Sequence, residues 1–291
     1  MAVLLCKITA LENLFVYDYD QHGRGYASRR RTDPRIAHYV HEALEPAATV
    51  LNVGAGAGSY EPTDRYVLAL EPSAAMRAQR TARHAAGTSS DGAPFAGTPF
   101  AGTSFAGTRA AGVPPAVIGV AEALPLDDGS VDAAMAMITI HHWKDIKKGL
   151  QEMKRVARQR VVILTFDGDA LDSFWNVEYF REVVETERLR YPRIDWIVES
   201  LGGNCTVSPI PIPLDCVDGF QEAYYGRPEA LLDREVRRAQ SAWGFVSAAE
   251  QEASVQRLAD ELKLGDWDRK YGHLRTQPFF TGALRLITAV Y

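Results

Sequence analysis

The stretch "TVLNVGAGAGSYEPTDRYVLALEPS", Thr49 to Ser73, decides the fold. "TVLNV" is a short apolar run rich in β-branched residues, so it reads as a strand. Glycines 54, 56 and 58 alternate with alanine behind it, and "YVLAL" is a second strand ending at Glu71. A glycine turn after a strand lets the main chain approach a ligand closely. A mononucleotide loop of the form G-x-x-x-x-G-K-[ST] is excluded, because the turn has no lysine. A dinucleotide loop, G-x-G-x-x-G, is also missed: with Gly54 and Gly56 as its first two glycines, the third place holds Ser59. What remains is G-x-G-x-G followed by an acid at the next strand end. A carboxylate there can accept both hydroxyls of a ribose.

Strands and helices alternate outward from this point. Upstream, "DPRIAHYVHEAL" starts a helix with Asp33 as cap and Pro34 in the first turn. Downstream, Ser73 caps "AAMRAQRTARHA". "AVIGV" is a third strand and "DAAMAMITI" a fourth. "DIKKGLQEMKRVAR" is an amphipathic helix with Ile146, Leu150, Met153, Val156 and Ala157 on its apolar stripe, and "RVVILTF" is a fifth strand. "CTVSPIPIP" reads as a sixth, edge strand because of its prolines, and "FFTGALRLITAVY" as a seventh. This alternation predicts a mostly parallel seven-stranded sheet with helices on both faces, one late strand being antiparallel. Residues 170–203 and 214–278 read as an inserted helical cap that forms the substrate region of a single domain, 1–291. Residues 87–112, where Phe-Ala-Gly-Thr recurs three times, read as a flexible insertion.

Composition narrows the function classes. Among 291 residues, 46% are apolar and 24% charged, as in ordinary globular chains, and the formal net charge is −5. An acidic balance disfavours nucleic acid or an anionic membrane as partner. Three cysteines, Cys6, Cys205 and Cys216, form no paired or C-x-x-C pattern, so no disulfide framework and no metal site is expected. The start "MAVLLCKITALENLF" is a poor signal peptide, and no apolar run reaches the ~18 residues that span a bilayer. A cytoplasmic location is the expectation. Oligomeric state is not legible.

"VLNVGAGAG", "LALEPSAAM", "AEALPLDDGSVDAAMAMITIHHW" and "GLQEMKRVAR", in this order, resemble the class I S-adenosylmethionine-dependent methyltransferases. More narrowly, they are similar to the small-molecule branch of ubiquinone/menaquinone-type and antibiotic-tailoring enzymes. The resemblance covers about residues 49–166 and implies a Rossmann-like fold and S-adenosyl-L-methionine as cofactor. It also implies roles for residues: Gly54, Ala55 and Gly56 along the methionine moiety, Glu71 on the ribose hydroxyls, and Pro72 and Met76 flanking the nucleoside. Ala121 and Glu122 would meet the adenine edge, and Ile138 would close the pocket near the sulfonium. In "YASRRRTDPRI", Arg31, with Arg30 as alternate, would reach the cofactor carboxylate. One departure stands out: only 13 residues separate Gly58 from Glu71, and Pro62 and Asp64 interrupt them, so the first helix of this fold must be short or irregular.

The implied chemistry is methyl transfer to O, N or C of a small metabolite, a natural-product intermediate of secondary metabolism. Alignment of nucleophile, methyl and sulfur carries most of such a reaction, at ~7–11 kcal/mol. A general base matters only where the nucleophile holds a proton. His142, and then His141, after the fourth strand are the base candidates; the competing role is structural. Aromatic clusters in the cap, and His273 and Arg275, are candidates for the acceptor wall or for cap core. The same fold also supports other chemistries, among them elimination, cyclisation or hydrolysis with the cofactor kept or lost.

Overall fold

The structure is a computed structural model that describes residues 17–23, 25–86 and 116–291. The Phe-Ala-Gly-Thr tract, Cys6 and the N-terminal segment lie outside the described residues. Among the described residues there are nine strands: β1 (Thr49–Val53), β2 (Tyr66–Leu70), β3 (Ala116–Val117), β4 (Val131–Met137), β5 (Ala157–Phe166), β6 (Asn204–Pro209), β7 (Ile212–Pro213), β8 (Phe279–Phe280) and β9 (Leu284–Val290). Seven of them form one sheet in the order β3-β2-β1-β4-β5-β9-β6. β1 to β5 pair in parallel, and β9 is antiparallel to both β5 and β6. This is the expected Rossmann-like, mostly parallel seven-stranded sheet.

Strand periodicity divides the core. Val50, Ala133, Met135, Val162 and Leu164 face one buried cluster with helix Pro34–Ala43 and the helical segments after β5. Their neighbours Leu51, Ala134, Val161 and Ile163 face a second, covered by helices Ile146–Val156 and Ile194–Leu201. Alternate residues of a strand point to opposite faces, so a sheet buried on both sides needs such unbroken apolar runs. Asp33 caps its helix by accepting from the Arg35 amide at 3.0 Å, with Pro34 in the first turn. Ser73 Oγ accepts from the Met76 amide at 3.2 Å at the start of Ala74–Ala86.

Several boundaries differ from the sequence reading. The third strand shrinks to two residues, because a side chain at Gly119 would fall against Leu70 of β2 and Val120 pairs back to Ala123. Ala157 leaves the helical stripe and opens β5, opposite Val131 in a bulged register. The proline-rich "CTVSPIPIP" splits after Pro209. β6 forms the sheet edge, and β7 turns away to pair with β8, since Pro209, Pro211 and Pro213 have no amide to continue a ladder. Residues 170–203 are three α-helices after a 3₁₀ turn, closing at Gly202 and Gly203 with φ +60° and +72°. Between β1 and β2 there is no helix, only turns over residues 54–65, where the short, proline-containing interval implied a short or irregular one.

Candidate active site

The glycine turn folds back onto β2. Gly54 and Ala55 both donate their amides to the Leu70 carbonyl, each at 2.9 Å. Gly54 has φ +69°, and a side chain there would fall on Thr139 Oγ1; Gly56 has φ +51° with Met76 Cε against the missing side chain. Both positions therefore need glycine for conformation and for room. Glu71 crosses beneath the turn. One carboxylate oxygen accepts from the Gly56 amide and the other from the Ser73 amide, each at 2.8 Å. Burial pushes its carboxyl above the usual carboxylate range, against the pull of those two amides. Each oxygen retains a lone pair, and Glu71 lines a crevice of about 440 Å³ along the C-terminal ends of β1, β2 and β4.

Glu71, Pro72, Ala121, Glu122 and Trp143 line the crevice, as do Asn52, Tyr60, Arg30 and Asp218. Trp143 rests on Gly149 of helix Ile146–Val156, where a side chain would displace the indole. Arg30 Nε donates to Asp218 at 2.6 Å, and the Tyr60 hydroxyl donates to the other Asp218 oxygen at 2.7 Å. Asn52 Oδ1 is buried and has no hydrogen-bond partner. Asn52, Tyr60, Trp143 and Asp218 are site residues that sequence reasoning missed. Asp218 lies 188 residues from its partner Arg30, so only the tertiary structure joins them.

The arginine expectation is corrected. Arg31 is exposed and does not line the crevice; Arg30 is the arginine at its wall. The reversal follows from phase, since Arg30 bridges to Asp218 at the end of helix Tyr26–Arg29 and the next side chain must point outward. Glu122 lines the crevice, but its Oε1 accepts from the Lys144 and Asp145 amides at 2.7 and 3.0 Å, so that oxygen holds the following loop. His273 and Arg275 line neither cavity; Arg275 is held by Asp268 and Glu229. Among the described residues no group of His, Cys, Asp and Glu is placed to hold a metal ion.

Ile138 follows β4 with φ +51°, an uncommon conformation for a β-branched residue and a site of stored strain. It stands where the crevice meets a second, smaller cavity, and Tyr19, Tyr26, Arg30 and His142 line both. The two histidines follow in a 3₁₀ turn, Ile140–His142. Burial, with Arg190 and Arg30 nearby, holds the His142 imidazole well below its usual range. Burial holds His141 down likewise, helped by His142, whose ring centre lies 4.0 Å away. Arg190 Nη2 lies 3.2 Å from His142 Nδ1, and guanidinium can only donate, so Nδ1 must accept. The ring proton then sits on Nε2, 2.9 Å from the Tyr19 hydroxyl oxygen. Both nitrogens are committed, and His142 has no free lone pair with which to take a substrate proton.

Residues 51–165 match the family model described as a methyltransferase domain. This segment resembles the class I S-adenosylmethionine-dependent methyltransferases. No sequence match is found among the curated proteins. A solved structure from Anabaena variabilis, assigned as a methyltransferase from an antibiotic biosynthesis pathway, is 27% identical; the match covers 91% of this chain and all of that one, with a TM-score of 0.74. An S-adenosylmethionine-dependent methyltransferase from Thermotoga maritima shares the fold at 15% identity and TM-score 0.52, over 96% of this chain and 99% of that one. The cyclase SpnF shares it at 16% identity and TM-score 0.50, over 88% and 79%. No helix of the described residues is long and apolar enough to cross a membrane.

S-adenosylmethionine is the cofactor that this domain and its neighbours point to, and the crevice fits it. The free lone pairs of Glu71 suit two ribose hydroxyls. The cradle at Gly54 and Gly56 leaves no side chain in the way. The orphaned Asn52 oxygen and the Arg30–Asp218 pair, in the same lining, suit an amino-acid end that carries both an ammonium and a carboxylate.

Proposed function

We propose that this protein transfers a methyl group from S-adenosylmethionine to O, N or C of a small metabolite, with the acceptor entering the junction at Ile138. The continuity of the crevice with the smaller cavity through Tyr19, Tyr26 and His142 carries the reading. The likeness to the Anabaena variabilis protein supports a natural-product intermediate as acceptor. Residues 170–203 and 214–278 serve as the cap over this junction: Phe174 and Asn176 come from the first segment, and Phe220 and Gln221 from the second. Most other cap aromatics form its core, such as Trp175 edge-on to Trp267 with ring centres 5.5 Å apart.

In this reading Glu71 holds the ribose, and Gly54, Ala55 and Gly56 lie along the methionine chain. Asn52 and the Arg30–Asp218 pair orient the amino-acid terminus, while Pro72, Met76, Ala121 and Trp143 enclose the nucleoside. The cofactor supplies an electrophilic methyl on sulfur. The chain supplies alignment and exclusion of water. His142 acts as a positioning residue: Arg190 fixes its tautomer, and its Nε2–H fixes Tyr19. The Tyr19 ring packs edge-on against that of Tyr26, ring centres 5.5 Å apart, and Tyr26 lines the junction.

Two measurements test the function. Calorimetry should show S-adenosylhomocysteine binding with no binding of NAD. Incubation with methyl-deuterated S-adenosylmethionine and a panel of small hydroxy and amino metabolites should yield a product bearing one CD₃ group. Turnover that proceeds equally well without S-adenosylmethionine would overturn the assignment in favour of another chemistry on the same fold.

A further inference from the structure

The smaller cavity, about 40 Å³, lies between β5 and the cap. A water needs about 10–15 Å³ of such space, so this recess takes a group of a few heavy atoms. Its walls carry an unusual set of unmet hydrogen-bonding atoms: Glu187 Oε2, Asn176 Oδ1, His141 Nδ1 and Gln221 Nε2 are each buried and without a partner. Buried polar atoms are almost always paired, so four in one recess point to a missing occupant. Glu187 presents only acceptors, and Asn176 presents its carbonyl oxygen in this amide orientation. Asn176 is 3% exposed, and the Glu187 side chain 13%.

Charge narrows the occupant. Arg30 is neutralised by Asp218 at 2.6 Å, and Arg190 faces Glu187 at 4.0 Å, beyond hydrogen-bond reach. Glu222, also in the lining, is held by the Ala283 amide at 2.8 Å, and burial pushes its carboxyl up to about 7. Glu187 is thus the carboxylate left to an occupant, beside the rings of Phe166, Tyr191 and Phe220, and aromatic rings attract cations.

We infer that the recess is an ammonium pocket, in which Glu187 and Asn176 select an acceptor bearing a primary amine. The inference rests on the methyl-transfer reading and adds the acceptor's anchoring group. A protonated amine has no free electron pair, so the ammonium anchors the molecule. The atom that receives the methyl lies nearer Ile138 and Tyr26. Gln221, whose amide can present either end, and His141 complete the ring of partners.

The test uses three probes of equal length: n-butylamine, n-butanol and butyrate. Their dissociation constants are measured by ligand-observed NMR on the full chain saturated with S-adenosylhomocysteine. The amine should bind at least about tenfold more tightly than butyrate, as one charge-assisted hydrogen bond implies. Glu187→Gln, which keeps the side-chain shape, should cut that preference below about threefold while leaving S-adenosylhomocysteine affinity intact. Asn176→Leu should reduce amine binding as a second, independent variant. Equal binding of amine and butyrate, no binding of the amine, or an unchanged preference in Glu187→Gln would overturn the inference, as would a high-resolution crystal soaked with n-butylamine that shows water alone in the recess. If wild-type protein binds no S-adenosylhomocysteine, the cofactor reading falls too; if it binds normally without amine preference, only the ammonium pocket falls.

Discussion

Glu71→Gln tests the crevice most directly. Each Glu71 oxygen accepts one backbone amide at 2.8 Å, from Gly56 and Ser73, and keeps a lone pair for the crevice. A glutamine has one carbonyl oxygen and one amide nitrogen. Its nitrogen must face either the Gly56 or the Ser73 N–H, donor against donor, and the ribose loses its anionic acceptor. A hydrogen bond to a charged group contributes about 1.5–3 kcal/mol. Loss of one such bond should therefore weaken S-adenosylhomocysteine binding about 10- to 150-fold. Calorimetry at pH 7.5 reads the effect, and thermal unfolding of the unliganded variant separates binding from fold damage. The pH dependence has a definite sign. Burial raises the Glu71 carboxyl, so in wild type the anionic acceptor is lost earlier on acidification than for a free glutamate, and affinity falls with it. The variant should show no such fall. A dissociation constant within twofold of wild type, on a variant of unchanged stability, would refute the placement of the ribose at Glu71.

Other predictions concern the site's supports. Glu222 is buried, and burial pushes its carboxyl up to about 7 from 4.5. The native state thus holds a proton that the unfolded chain releases, and this contribution to stability is lost as pH rises from 4.5 through about 7. At about 1.4 kcal/mol per pH unit, Glu222→Gln should gain up to about 3 kcal/mol relative to wild type between pH 4.5 and 7.5. Urea unfolding at both pH values checks it, and a pH-independent difference would contradict it. Arg30→Ala leaves Asp218 buried with Tyr60 alone and should destabilise by about 3–5 kcal/mol; a loss below about 1 kcal/mol in urea unfolding would count against a tight ion pair. Tyr26→Phe should lower kcat/KM for the identified acceptor about two- to tenfold, the weight of one neutral hydrogen bond of about 0.5–1.5 kcal/mol. His142 is neutral and doubly bonded, so the pH profile of kcat/KM should contain no limb that His142→Gln removes. A limb near 6.5 that vanishes in that variant would restore His142 as general base.

Much of this protein is determined by short-range pattern. The order of strands, the glycine turn and the acid at the end of β2 were legible because each depends on neighbours in sequence: two-residue periodicity for strands, positive φ for Gly54 and Gly56, and parallel strands that bring their C-terminal ends together. That the helix between Gly58 and Glu71 would be short or irregular was legible for the same reason, since Pro62 interrupts a short interval; that it is absent altogether was not. The strand ends were not legible, because Ala157 and Pro209 continue their local patterns and only sheet pairing decides where each belongs.

What only tertiary structure decided depends on partners far along the chain. Arg30 rather than Arg31 reaches the crevice because Asp218, brought in from beyond β7, meets it at 2.6 Å. His142 loses its standing as a base because Arg190 and Tyr19 close on its two nitrogens from opposite ends of the sequence. The recess polar atoms from Asn176, Glu187 and Gln221 converge only when the two cap segments pack over β5. A residue type announces what a side chain can do, but hydrogen-bond capacity is finite, and which partners consume it is settled by packing.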